Sequence, residues 1–228
     1  MKNAQVKIAI LLVAILFQSC SSIKVLDSWK ADQAKLDSFK EQNILVIART
    51  ADNQARVAFE EEIAAQMAAK GFKVTESFKK FPKMHKQREM TEERMKMVRS
   101  IIDSEGYTGV VVTSIKDKEE TTTTSTSGIY MGAGYYPGYY GGFYNYYRYP
   151  YAAGPYYSGF GGYMPTSTST YTSTTYVVET VAYNLKESGK DQLVSVVTSS
   201  VTDPKEASKV ASKYVEKVAE ALAGTNPE

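Results

Sequence analysis

The sequence is poor in the residues from which catalytic and metal-binding chemistry is usually built. It holds one Cys and one His in 228 residues. A single Cys excludes an internal disulfide framework and a Cys-based zinc cage. A single His excludes multi-histidine metal sites and leaves little material for a His-driven triad. Excess charge is also lacking: 27 Lys+Arg stand against 25 Asp+Glu, which argues against a nucleic-acid binder steered by net charge. Long hydrophobic runs are missing as well. Residues 8–17 are all apolar, but these ten positions fall well short of the ~20 needed to span a bilayer. What is abundant is Tyr, with 15 of its 18 copies between positions 130 and 176.

The amino terminus reads as an address. Lys2 and Lys7 precede the apolar run 8–17 with no acid among them, which is the pattern of a signal-peptide core. Cys20 follows directly, in Leu16-Phe17-Gln18-Ser19-Cys20-Ser21-Ser22. This phrase resembles the lipobox of bacterial lipoproteins, in which a small residue precedes a Cys that is acylated and becomes the first mature residue. The resemblance implies a signal peptide over 1–19, lipidation at Cys20, and membrane attachment through two or three acyl chains. Loss of 1–19 removes Lys2 and Lys7 and leaves a formally neutral chain. By the same resemblance, Ser21 rather than Asp after the Cys implies sorting to the outer membrane. The absence of an acidic run there implies its periplasmic leaflet.

Beyond a tether over 20–42 that contains Trp29, the pattern is α/β. Residues 43–49 (NILVIAR) read as a buried strand, and Asp52 or Asn53 caps a helix with Phe59, Ile63 and Met67 on one stripe. Glu60, Glu61 and Glu62 read as the solvated face of that helix. A strand follows over 72–78, then a basic loop around His85, then a helix capped by Thr91 and a strand over 109–115. Strand, helix, strand, helix, strand at this spacing implies right-handed crossovers and a parallel sheet. Residues 166–185 and 192–201 read as an antiparallel strand pair, and Asp203 with Pro204 and Glu206 as the start of a terminal helix. The expectation is an α/β fold: a mixed sheet of about five strands, three parallel and then an antiparallel pair, with three helices. The body falls into 43–127 and 166–228.

Between these halves, residues 121–178 carry one charged side chain, Arg148, in 58 positions. Thr/Ser-rich flanks at 121–127 and 166–175 predict two arms of a long hairpin, because Thr favours strands. The segment 128–165, built from Tyr, Gly and Pro, predicts a loose, protruding tip. The phrases Asp27-Ser28-Trp29-Lys30, Gly109-Val110-Val111-Val112-Thr113 and Thr175-Tyr176-Val177-Val178-Glu179-Thr180, in this order of elements, resemble uncharacterised bacterial envelope lipoproteins. More distantly, the layout is similar to the α/β domain of curli-secretion lipoproteins, which extend hairpins into a membrane pore. Barrel strands alternate apolar residues toward lipid, and these Thr/Ser arms lack that face.

No motif assigns an activity. Gly132-Ala133-Gly134 and Gly159-Phe160-Gly161-Gly162 neither follow a strand nor open a helix, so no nucleotide cofactor or other cofactor is expected. His85 sits in a Lys-rich loop with no second ligand spaced to share a metal, and no metal is expected. The insert is the promising element, since Tyr combines a flat face with a polar end at low entropic cost. Tyr135, Tyr136, Tyr139, Tyr140, Tyr144, Tyr146, Tyr147, Tyr156 and Tyr157 are its candidate contacts. The expected role is a non-enzymatic envelope lipoprotein that displays this aromatic hairpin to an envelope protein or glycan. The alternative is a periplasmic hydrolase. A deep cleft over the strand ends with two close carboxylates would speak for the enzyme.

Overall fold

The computed structural model describes residues 22–81, 91–121, 128–132, 142–148, 161–165 and 173–224. Cys20 and His85 lie outside them, as do Tyr135, Tyr136, Tyr139, Tyr140, Tyr156 and Tyr157.

The strands are β1 (Ile23–Lys30), β2 (Asn43–Arg49), β3 (Lys73–Glu76), β4 (Gly109–Thr121), β5 (Gly128–Gly132), β6 (Gly161–Pro165), β7 (Ser173–Asn184) and β8 (Leu193–Thr202). Six of them form the mixed sheet of the body, in the order β1-β8-β7-β4-β2-β3, while β5 and β6 make a separate antiparallel ladder. The helices are α1 (Gln33–Lys40), α2 (Asn53–Ala69), α3 (Glu92–Ser104), α4 (Phe143–Arg148) and α5 (Ala207–Ala223). β2 pairs in parallel with both β3 and β4, and the β4–β7, β7–β8 and β1–β8 pairs are antiparallel.

The α/β expectation and the three parallel strands are therefore correct, while the element counts rise from about five strands and three helices to six sheet strands and five helices. Part of the excess comes from 20–42. The expected tether holds an edge strand and a helix: β1 pairs along β8 from Ile23↔Val201 to Lys30↔Ser195. Its inward and outward residues do not alternate cleanly, because a register shift falls between Val25 and Asp27. α1 is eight residues long and buries only Phe39. Gly109 makes that contact feasible, since a Cβ there would stand 2.9 Å from the Phe39 ring.

The crossovers leave β2 toward β3 and return past β2 to β4. Right-handed connections running in opposite directions put their helices on opposite faces. α2 accordingly packs Ile63 and Ala64 against Ile44, Val46 and Val111. α3 packs Met95, Val98 and Ile102 against Leu45, Ile47, Val110 and Val112 on the other face. α5 shares the α2 face, burying Tyr214 and Val215, with the Phe59 and Tyr214 rings 5.3 Å apart. Its start differs from expectation. Asp203 does not cap it but adopts φ 47 and accepts a hydrogen bond from the Thr174 N–H at 2.7 Å. That bond fixes the start of β7, and the helix begins at Ala207 with no side-chain cap from Glu206.

The Thr arms pair as expected where they are described: β4 and β7 pair on to Thr121↔Ser173 past a register shift between Ile115 and Asp117, and β5–β6 pair from Gly128↔Pro165 to Gly132↔Gly161. The loose tip is the expectation that needs correcting at its described residues, 128–132, 142–148 and 161–165; the rest of 128–165 lies outside the described residues. β5 lies against β1, and α4 inserts Phe143 and Tyr147 into the core beside α3.

Candidate functional site

One end of the sheet gathers the features of interest. The carboxyl ends of β2, β4 and β8 meet there with the amino ends of β1 and β7, as the pairs Ile23↔Val201, Tyr176↔Val201 and Lys118↔Tyr176 show. β2 stops at Arg49, whose partner is Ser114, while β4 runs on to Thr121 paired with β7. The β4–β7 ribbon therefore overhangs the end of β2 by seven residues, roughly 23 Å at the usual strand rise.

A cleft of about 380 Å³ fills the notch between that ribbon, the start of α2 and the start of α5. Ala48, Phe59, Ile115, Tyr176, Val178 and Val201 give it an apolar floor. Thr50, Gln54 and Lys205 stand at its more polar margin. Asp52 is the one carboxylate of the lining, and its Oδ1 caps α2 by accepting from the N–H groups of Gln54 and Ala55 at 2.8 and 3.2 Å. The close carboxylate pair that would suggest hydrolysis is not part of this lining.

Below the cleft, polar groups on both faces tie the strand ends together. On the α2/α5 face, the Thr180 hydroxyl bonds both Thr113 Oγ1 at 2.7 Å and Tyr214 Oη at 2.8 Å. Burial, more than any charge, pushes the Tyr214 phenol well above its ordinary range. Beside β2, Glu60 is fully buried: its Oε1 accepts from the Ala48 N–H, Arg56 Nε and Ser77 Oγ, and its Oε2 from the Phe78 N–H. The solvated reading of Glu60 is thus wrong, whereas Glu61 is exposed. A carboxylate that satisfies four donors is a brace between β2, α2 and the turn after β3.

On the opposite face, Lys116 Nζ lies 3.2 Å from Glu179 Oε1, both largely buried. Burial lowers the Lys116 pKa, and Glu179 opposes the shift. Arg49 donates to the Tyr147 carbonyl at 2.6 Å and stacks 4.6 Å from the centre of the Tyr147 ring. At the other end of α4, the Phe143 N–H donates to Gln192 Oε1 at 3.0 Å. This short helix therefore runs along the sheet from the β7–β8 turn to the end of β2. Tyr147 is 2% exposed and Phe143 fully buried. Tyr144 is half-buried, with Arg99 4.4 Å from its ring centre. Burial raises the phenol pKa of both tyrosines.

Among the sequence-predicted contacts, Tyr147 is thus a core residue and Tyr144 a partly covered one, while the backbone of Tyr146 lies in the same helix. The cleft was missed because its lining comes from four separated segments with no local motif. The only available signal was the general rule that crevices form outside the carboxyl ends of parallel strands.

No family model matches the chain, and no curated protein matches it. Among solved structures, a dodecameric PelC variant from Paraburkholderia phytofirmans is similar at 10% identity, covering 86% of this chain and 94% of that one, with a TM-score of 0.38. A likeness of that degree establishes neither a common fold nor a common role.

Proposed function

We propose that the protein is a non-enzymatic envelope lipoprotein, anchored in the outer membrane through acylated Cys20, whose tyrosine-rich insert binds an envelope partner. The burial of Phe143 and Tyr147 carries this reading. It pins the middle of the insert to the sheet, so that 133–141 and 149–160 are each tethered at both ends to described elements. Segments held in this way lose less entropy on binding than a free tip would, which favours recognition. The contacts then fall to Tyr135, Tyr136, Tyr139, Tyr140, Tyr156 and Tyr157, and Phe143 and Tyr147 serve as their mount.

Changing those six tyrosines to Ser while keeping α4 separates binding from folding. In-cell crosslinking of the wild type is expected to capture envelope components that the six-Ser variant loses. Equal capture by both would remove the insert from the binding role. Separately, Cys20→Ala is expected to release the protein from the membrane fraction, and continued retention would remove the anchor.

A further inference from the structure

The cleft at the end of β2 has no part in the role given to the insert, yet it has the shape and chemistry of a ligand site. We infer that it binds a single-chain amphiphile with an anionic head group, taken from the membrane next to the anchor. Its volume of about 380 Å³ falls at the lower end of the ~300–1,000 Å³ common for ligand pockets. That admits one chain or ring and excludes a polymer or the body of a two-chain lipid.

The floor offers alkyl and aromatic groups with few hydrogen-bond partners to spare. The Thr113 hydroxyl of the lining is already engaged by Thr180. A sugar buried there would leave its own hydroxyls unpaired, which is costly, whereas an alkyl chain loses nothing. The rim decides the head group. Lys205 is exposed at the mouth and makes no ion pair among the described residues. Asp52 spends its carboxylate on the helix cap, and the adjacent start of α5 carries no side-chain cap. An anion meets Lys205 and the uncapped N–H groups of α5 at that mouth, while the negative charge of Asp52 is already turned to the N–H groups of α2.

The register fixes which end of the molecule this is. Ile23 pairs with Val201 of the cleft floor, and in sequence Ile23 stands three residues after Cys20. This placement of the ligand's source rests on the proposed anchor; the cleft chemistry does not.

The test uses residues 21–228, which contain every strand and helix described, purified without detergent. Calorimetric titration below micelle-forming concentrations compares dodecyl phosphate, dodecyl maltoside, dodecyltrimethylammonium and inorganic phosphate. Dodecyl phosphate is expected to bind one to one, roughly tenfold tighter than either other dodecyl compound, with no measurable binding of inorganic phosphate. Lys205→Glu, at an exposed position, is expected to reverse the preference between the phosphate and ammonium heads. Ala55→Trp, on the α2 wall, is expected to abolish binding of all three chains. Absence of one-to-one binding, equal affinity for the three heads, or an unchanged preference in Lys205→Glu would overturn the inference. Because the anchor is tested independently by fractionating Cys20→Ala in cells, failure of either claim leaves the other standing.

Discussion

The two faces of the sheet are covered by different kinds of sequence. One carries α2 and α5, long helices of 17 residues each with apolar stripes. The other carries α3 and, from the middle of a low-complexity insert, the six-residue α4. A helix this short has no stability of its own in water. It holds because Phe143 and Tyr147 fill the space over Val181, Tyr183 and Leu193, with the Phe143 and Tyr183 rings 6.0 Å apart in an edge-on arrangement. Composition alone would class this segment with linkers. Here it completes a core, and the difference between the faces is one of local against borrowed stability.

The largest expected effect falls on the face with the long helices. Glu60→Ala strands the Arg56 guanidinium, 3% exposed, together with three other donors, and should cost about 4 kcal/mol in denaturant unfolding. Phe143→Ala on the opposite face should cost about 3 kcal/mol. The informative readout is hydrogen exchange. If the contrast between the faces is right, α3 and the β7–β8 turn lose protection while α2 and α5 keep theirs; uniform loss would mean that the faces are not separable.

A smaller effect is a pH slope. Burial sets the folded-state pKa of Lys116 below its unfolded value, so the unfolded chain binds the extra proton between the two. The penalty is therefore fully present below the folded pKa and is relieved as pH rises toward 10.5. The double variant Lys116→Met/Glu179→Leu should lack this rise and be no less stable than the wild type at pH 7, as measured by urea unfolding across pH. At the small end, Arg99→Ala removes the cation over Tyr144 and should cost at most about 1 kcal/mol.

Much of the body was legible in the sequence because its signals are local. The run Asn43–Arg49, the Thr91 cap and the left-handed Gly224 at the end of α5 all fall where pattern and turn chemistry place them. β1 was not legible, since an edge strand with a register shift loses the alternation that marks a strand. α4 left only a faint trace: Phe143 and Tyr147 are one helical turn apart, but among so many tyrosines that spacing carries no information. Glu60 shows the same limit from the other side, because its one partner within a helical turn, Arg56, would pair as readily on a solvated face. Its burial is decided by Ser77 and Phe78, 17 and 18 residues away.

One consequence of the strand order concerns time rather than space. Among the described residues, the first strand of the sheet finds its only sheet partner in β8, and β4 closes on β7 across the whole insert. α2, complete by residue 69, packs against a helix that starts at residue 207. Pairings this distant are slow to form, and they wait for β7, β8 and α5 to be made. A polypeptide emerging from the ribosome would therefore remain without a finished sheet until β8, residues 193–202, has been made. That delay is compatible with the export that the proposed envelope role requires.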